Sequence, residues 1–436
     1  MNHSLSRRVG SLAPGRLRDE LRTVGGIDLF VVPFLGAMLF VRVLNDDRSA
    51  PNSRHSGSLN LSGVIAVVLI LLAAWLLMRR RRGLLPTALV VLWLGIWTAL
   101  ALHTSGASTE TLREGVRELS VVALAVIVYN TRKVFTVSTA TRLVQFVGFV
   151  PALLALYQLA THTGQYVAHN IRANGTFAHP NSAAMFFAIA ATASLWLYLD
   201  GGRRRLDALL VALFCASLIA TFSIDGLITL AAMLFVLGAL HPGTVRVKAV
   251  PCAIAIAVMF IFFASPLGAH RVASESSTSL SAADRGETTS SFNTRLYRWK
   301  TLLPQWERSP VYGRGIGTTT TSESTKANRL NYLLPHNEYL RYLVETGVIG
   351  LTILFAALAR LVLGFFRRRK TPDTVGSASF NATSLGLAVI AGCLVNSLAD
   401  NTLLNSPTCY ATALIVTAVL NLPSLDTNRA PIPQAV

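Results

Sequence analysis

The chain has 436 residues, of which 52% are hydrophobic and only 14% charged, against the quarter or so usual in a soluble domain. The formal net charge is +18, yet the basic residues stand in short clusters between apolar runs, which argues against a nucleic-acid face. The apolar runs are mostly 18–20 residues long, enough to cross a bilayer, so the expected class is an all-α polytopic membrane protein.

Taken in order, residues 1–26 form a polar, arginine-rich tail, and no small-residue cleavage site follows at the distance a removable signal peptide needs. Spans are expected at 27–44, 61–78, 84–103, 119–130, 134–160, 181–199, 206–222, 226–240, 247–265, 347–366, 382–399 and 406–421, about twelve in all. The fourth is short. The resulting segments are 27–265 (spans one to nine), 266–346 (the longest polar loop), 347–421 (spans ten to twelve) and a tail at 422–436. With the N-terminus in the cytoplasm, the basic clusters at 79–82, 132–133, 203–205, 246–248 and 367–370 all fall inside. The loops at 45–59, 104–118, 161–180, 223–225, 266–346 and 400–405 then fall outside. That orientation places any chemistry of the long loop beyond the cytoplasmic membrane and away from cytosolic nucleotides. The four cysteines (Cys215, Cys252, Cys393 and Cys409) sit in apolar runs and read as small buried residues.

Within the long loop, Ala273 to Thr289 is rich in Ser, Thr and Ala and reads as flexible. From Asn293 the pattern changes. Leu296, Trp299, Leu302, Leu303 and Trp306 recur at helical spacing, with Asn293 or Thr294 as the cap and Pro304 as a bend or stop. Two tryptophans suggest a helix lying at the membrane surface. Gly313, Gly315 and Gly317 allow either a phosphate-cradling loop or a permissive turn between helices.

Pro335-His336-Asn337 precedes a helix expected to start near Asn337 and to run into span ten. His336 would sit at the helix N-terminus, which favours a neutral imidazole able to accept a proton from a hydroxyl. Capping the helix or lying at the interface are the alternative roles. The loop before span six carries a turn at Asn174-Gly175, a possible cap in Asn181, and Arg172. Arg172, Arg295 and Arg298 are cations of the outer loops, suited to a lipid-linked diphosphate or to anionic headgroups.

His336, Asn337, nine residues, then Gly347-x-x-Gly350 resembles the signature of the O-antigen ligase family. Arg172 with Gly175-Thr176-Phe177-x-x-Pro180-Asn181, and Arg295-x-x-x-Trp299 followed by Pro310-x-x-Gly313-x-Gly315, are similar to further features of the O-antigen ligase and polymerase families. The resemblance implies a membrane glycosyltransferase of GT-C type. Such an enzyme moves a glycan from a polyprenyl diphosphate to an acceptor hydroxyl on a glycan or glycolipid. By resemblance His336, with Asn337 beside it, activates the acceptor, and Arg172, Arg295 and Arg298 hold the diphosphate. Gly347 and Gly350 are structural, inversion is expected, and no metal or other cofactor is needed. A polysaccharide polymerase is the nearest alternative.

One departure concerns the turn between spans seven and eight. Many relatives carry Ser-Arg-Gly there, whereas this chain has Ser223-Ile224-Asp225-Gly226, so Arg113 or Arg117 is expected to supply the charge, or the donor to be held differently. Two other readings compete. Asp46-Asp47 after span one resembles the acidic pair of metal-dependent protein glycosyltransferases. Arg142 and Arg360, as intramembrane charges, would suit a transporter or flippase for lipid-linked glycans.

Overall fold

A computed structural model describes residues 26–46, 61–105, 109–167, 170–200, 204–276, 291–321, 335–370 and 376–422. The basic tail up to residue 25, most of the first outer loop including Asp47, residues 277–290 and the tail from 423 lie outside them.

The described chain is almost wholly helical. The helices are α1 (Gly26–Leu44), α2 (Leu61–Arg80), α3 (Leu84–Ser105), α4 (Thr109–Asn130), α5 (Val137–Thr161), α6 (Pro180–Asp200), α7 (Arg205–Ala220), α8 (Ile224–Leu240) and α9 (Val245–Ala264). They continue as α10 (Pro266–Ser276), α11 (Ser291–Glu307), the single turn α12 (Thr318–Thr321), α13 (Glu338–Lys370), α14 (Gly376–Asn396) and α15 (Ser406–Leu420). A two-stranded antiparallel hairpin, β1 (Gln165–Val167) and β2 (Asn170–Arg172), pairs Gln165 with Arg172. Among the described residues six helices are long and apolar enough to cross a membrane: α2, α3, α5, α6, α9 and α13. Helices α1, α8, α14 and α15 are apolar but shorter over their described lengths. The chain is a multi-pass membrane protein.

Helix α6 forms the centre and packs against α5, α7, α8, α14 and α15. Its sequence is apolar on every side and rich in alanine, which lets neighbouring backbones approach closely. The outer faces of peripheral helices expose Leu71, Phe235, Ile256 and Phe260, as suits contact with lipid.

Several expectations change. The short fourth span is a 22-residue helix, because the polar segment at 109–118 is helical and its Glu114, Arg117 and Glu118 are paired within the protein. Helix α11 begins at Ser291, two residues before the expected cap, and runs through Pro304 to Glu307. Part of its apolar face is covered by protein: Leu302, Trp299 and Trp306 pack against Leu340, Leu343 and Val344 of α13. Ala273 lies in α10, so the stretch read as flexible begins as helix. Asn181 does not cap α6. It lies inside the first turn, and its backbone N–H donates to His179 Nδ1 (3.2 Å), so the histidine takes that role.

The turns meet in two sets. At one end, Arg172 donates to Thr221 O, Arg295 pairs with Asp225, the Glu338 N–H donates to Ser397 O, and Ala178 N–H donates to Asp46. At the other end Arg80 reaches Asn130 O, Arg368 donates to Val419 O and Arg369 to Leu240 O. The first set joins turns and helix ends expected outside, and the second those expected inside.

Candidate active site

The site is built on the N-terminus of α13. Asn337 caps that helix, its Oδ1 accepting the Leu340 N–H (3.0 Å) and its carbonyl the Arg341 N–H (3.0 Å). His336 precedes the cap in the left-handed region, at φ 47°. That conformation costs a non-glycine residue about 1–2 kcal/mol and persists only where the surroundings impose it. Here they do. Trp299 Nε1 of α11 donates to Pro335 O (2.7 Å) on one side, and Glu338 N–H donates to Ser397 O (2.8 Å) on the other.

His336 Nδ1 lies 2.9 Å from Asp400 Oδ1. Burial pushes the Asp400 carboxyl up, but the hydrogen bond and charge of His336 outweigh it, helped by His179 and the Asn401 N–H, and hold it down at about 2. An ionised carboxylate can only accept, so Nδ1 carries the hydrogen and Nε2 presents its lone pair whenever the ring is neutral. Asp400 was legible in the sequence only as part of a turn. The available signal was a lone carboxylate in a turn predicted to share the face of His336.

Glu338 fixes this pair from behind. Its Oε2 accepts the Leu403 N–H (3.1 Å), and its backbone N–H reaches Ser397, so it ties both ends of the turn that presents Asp400. The other oxygen accepts from Arg341 Nε (2.5 Å). Arg341, wholly buried, also meets Glu345 (3.3 Å), Glu118 (3.2 Å) and Glu114 (4.0 Å). Arg117 is paired with Glu114 in the same cluster. It therefore stands with Arg341 and not beside Arg172, contrary to one expectation for the missing cation.

Arg172 is buried at the end of β2. Its Nε donates to Thr221 O (2.8 Å) and one terminal nitrogen to Asn181 Oδ1 (2.7 Å), which also accepts from Ser223 Oγ (3.0 Å). Burial and the neighbouring Arg271 lower its pKa to about 9, while Asp225 and Asp400 oppose that shift. Arg271 of α10, which the sequence did not single out, exerts the largest charge effect on Arg172. Arg295 makes a two-pronged pair with Asp225, so the turn between α7 and α8 holds an arginine from the long loop. Arg298, one turn further along α11, is lowered to about 10 by burial and by Arg295. Arg172, Arg295 and His336 thus come together; Arg298 joins them through Arg295.

His179 lies in the loop before α6 and was not singled out by the sequence. Its ring lies 6.5 Å from that of His336, centroid to centroid. Burial first, then Arg172, push it down to about 3, so it is neutral at physiological pH.

The two glycine motifs form one device. At Gly347 (φ 65°, ψ −171°) α13 kinks, which frees carbonyls before the break and N–H groups after it. The segment at 310–315 takes them up: Val348 N–H donates to Pro310 O (3.0 Å) and Ile349 N–H to Val311 O (3.2 Å), while Arg314 and Gly315 N–H donate to Val344 O (3.0 Å) and Glu345 O (2.7 Å). A Cβ on Gly347 would stand 2.3 Å from Val311 O, and one on Gly315 2.2 Å from Ala101 N. Gly313, Gly315 and Gly317 therefore form a turn packed between helices, the second of the two readings above. Gly350 faces Thr346 across the kink.

Asp46, half of the acidic pair considered for a metal, is bound to Arg42 (2.7 Å) and to the Ala178 N–H (3.0 Å), and holds the Arg172 loop to α1. Among the described residues no group of three or more His, Cys, Asp or Glu side chains is arranged to hold a metal ion. Arg142 pairs with the buried Asp207 and with Gln145 at the opposite end of the bundle, and Arg360 is exposed.

An imidazole–carboxylate pair thus lies beside buried arginines at one end of a multi-pass helical bundle. Residues 208–355, about a third of the chain, match the O-antigen ligase family model, so this part of the chain is similar to that family. The matched region contains Asp225, Arg271, Arg295, His336 and Gly347. A comparison with curated proteins returned no match.

Proposed function

We propose that the protein transfers a glycan from a polyprenyl diphosphate to an acceptor hydroxyl on the outer face of the cytoplasmic membrane, as an inverting ligase of the O-antigen type. The observation that carries this reading is the His336–Asp400 pair set against Arg172 and Arg295. His336 Nε2 takes the proton of the acceptor hydroxyl, with Asn337 holding the ring's segment at the helix cap. The hydroxyl oxygen attacks the anomeric carbon from the face opposite the diphosphate. The bond to the diphosphate oxygen breaks, and that oxygen leaves with the electron pair. Arg172 and Arg295, with Arg298 behind them, stabilise the charge that develops on it. This chemistry draws on side chains alone, so the reading names no metal or cofactor.

The twelve-span topology, with both termini cytoplasmic and the 266–346 loop outside, belongs to the same proposal. It is supported by the positive-inside pattern and by the sorting of the turns into two sets. A polymerase would use the same site and differ only in its acceptor, the end of another lipid-linked glycan. A transporter is disfavoured because Arg142 is tied to Asp207 and Gln145 at the end away from His336.

His336→Ala is expected to abolish transfer of a labelled glycan while the variant keeps its wild-type melting profile in nanodiscs. Full activity in that variant overturns the reading. Envelope glycans from a deletion strain then separate the acceptors: free polymer with a bare acceptor marks a ligase, and loss of polymer length a polymerase.

A further inference from the structure

The two facing imidazoles have Nδ1 partners of opposite kind. At His336 the partner is a carboxylate, which can only accept, so Nδ1 bears hydrogen. At His179 the partner is the Asn181 backbone N–H, which can only donate, so Nδ1 must be bare and the hydrogen of the neutral ring sits on Nε2. The ring is half-buried, with its partnered edge turned to the first turn of α6. The charged and titratable groups that act on it are Arg172, Asp400, His336 and Arg295.

We propose that His179 is a substrate-contacting residue: a neutral Nε2–H donor that hydrogen-bonds a phosphate oxygen of a polyprenyl diphosphate held beside Arg172. The cations around it serve two ends, repelling an imidazolium and attracting an anion. His179 thereby adds a directed hydrogen bond to the cluster without adding charge. With hydrogen on Nε2 and its one lone pair at Nδ1 taken by the Asn181 N–H, it does not compete with His336 for the acceptor's proton. The inference rests on the donor chemistry proposed above and names a residue for that role outside the arginines.

The test uses the full chain in phosphatidylethanolamine–phosphatidylglycerol nanodiscs, with free undecaprenyl diphosphate as the probe. His179→Asn keeps an oxygen near the Nδ1 position for the Asn181 N–H but has no donor that reaches the Nε2 position. His179→Gln places an amide N–H there. Binding is expected to weaken about tenfold in the Asn variant and to stay within about threefold of wild type in the Gln variant, the change one lost hydrogen bond gives. Equal affinity in the Asn variant, or no binding by the wild type, overturns the proposal. Nitrogen-15 spectra of histidine-labelled wild type provide an independent check: His179 should show a bare Nδ1 and a protonated Nε2 across about pH 5–8, and a protonated Nδ1 overturns it. Binding is read without glycan transfer, so the two proposals can fail separately. A wild type that binds the lipid but joins no glycan overturns the transferase alone. An active enzyme whose Asn variant binds normally overturns only the role of His179.

Discussion

Two clusters of arginine and carboxylate lie on either side of Glu338, and they are built to opposite ends. Around Arg341, carboxylates outnumber guanidiniums, and Arg341, Glu338 and Glu345 are almost wholly buried. Around Arg172, cations from β2, α10 and α11 gather beside Asp225 and Asp400, and the two imidazoles are half-buried. The first cluster is closed around Arg341, which meets four carboxylates. The second keeps a lone pair at His336, an N–H at His179 and a cationic surplus. Buried ion pairs hold geometry, whereas reactive groups need unspent valence and access.

The comparison is tested most severely at Arg341. Replacing it with methionine leaves buried carboxylates without their cation, which is expected to cost about 3–5 kcal/mol. A drop in melting temperature, with activity falling only in proportion to folded protein, would fit. An unchanged melting temperature would show that the carboxylates are held neutral.

Asp400→Asn should do the reverse. Transfer is expected to fall on the order of 10²-fold, because the ring loses the partner that sets its tautomer, while the fold persists. Since the carboxylate is held below its ordinary value, its contribution to stability is present above about pH 4 and is lost as pH falls through about 2. Melting temperatures of wild type and variant should therefore converge in that window, and parallel pH curves would deny the pair any energetic role.

A smaller contrast lies along α13 itself. Gly347→Ala puts a Cβ in the left-handed region and against the Val311 carbonyl, with an expected loss of about 2 kcal/mol or more. Gly364→Ala meets nothing within 4 Å and should be neutral or stabilise by less than about 1 kcal/mol. Similar melting temperatures for the two variants would mean the kink is not imposed by its contacts.

Much of this molecule was readable from its sequence. The runs from Ile27 to Leu420, the breaks at basic clusters and the helix start near Asn337 are local properties, set by apolar length, charge asymmetry and helical spacing. The start of α13 beside His336 follows from them, and so does the sorting of the turns. Tertiary structure decided the rest. Asp400 lies 64 residues from His336, and nothing local in its turn marks it as the histidine's partner. Asp225, which the sequence offered only as a missing arginine, finds its cation 70 residues away on α11. The tryptophan face of α11 looked like a membrane surface because periodicity reports that one side is apolar, not what covers it; α13 covers part of it. The two glycine motifs were read apart because a kink and the turn that satisfies it are joined by backbone hydrogen bonds, which leave no mark on side-chain pattern. Local sequence determines which groups exist and which face of the bundle they reach. Which of them answer one another, and which are left free to react, is decided by long-range packing.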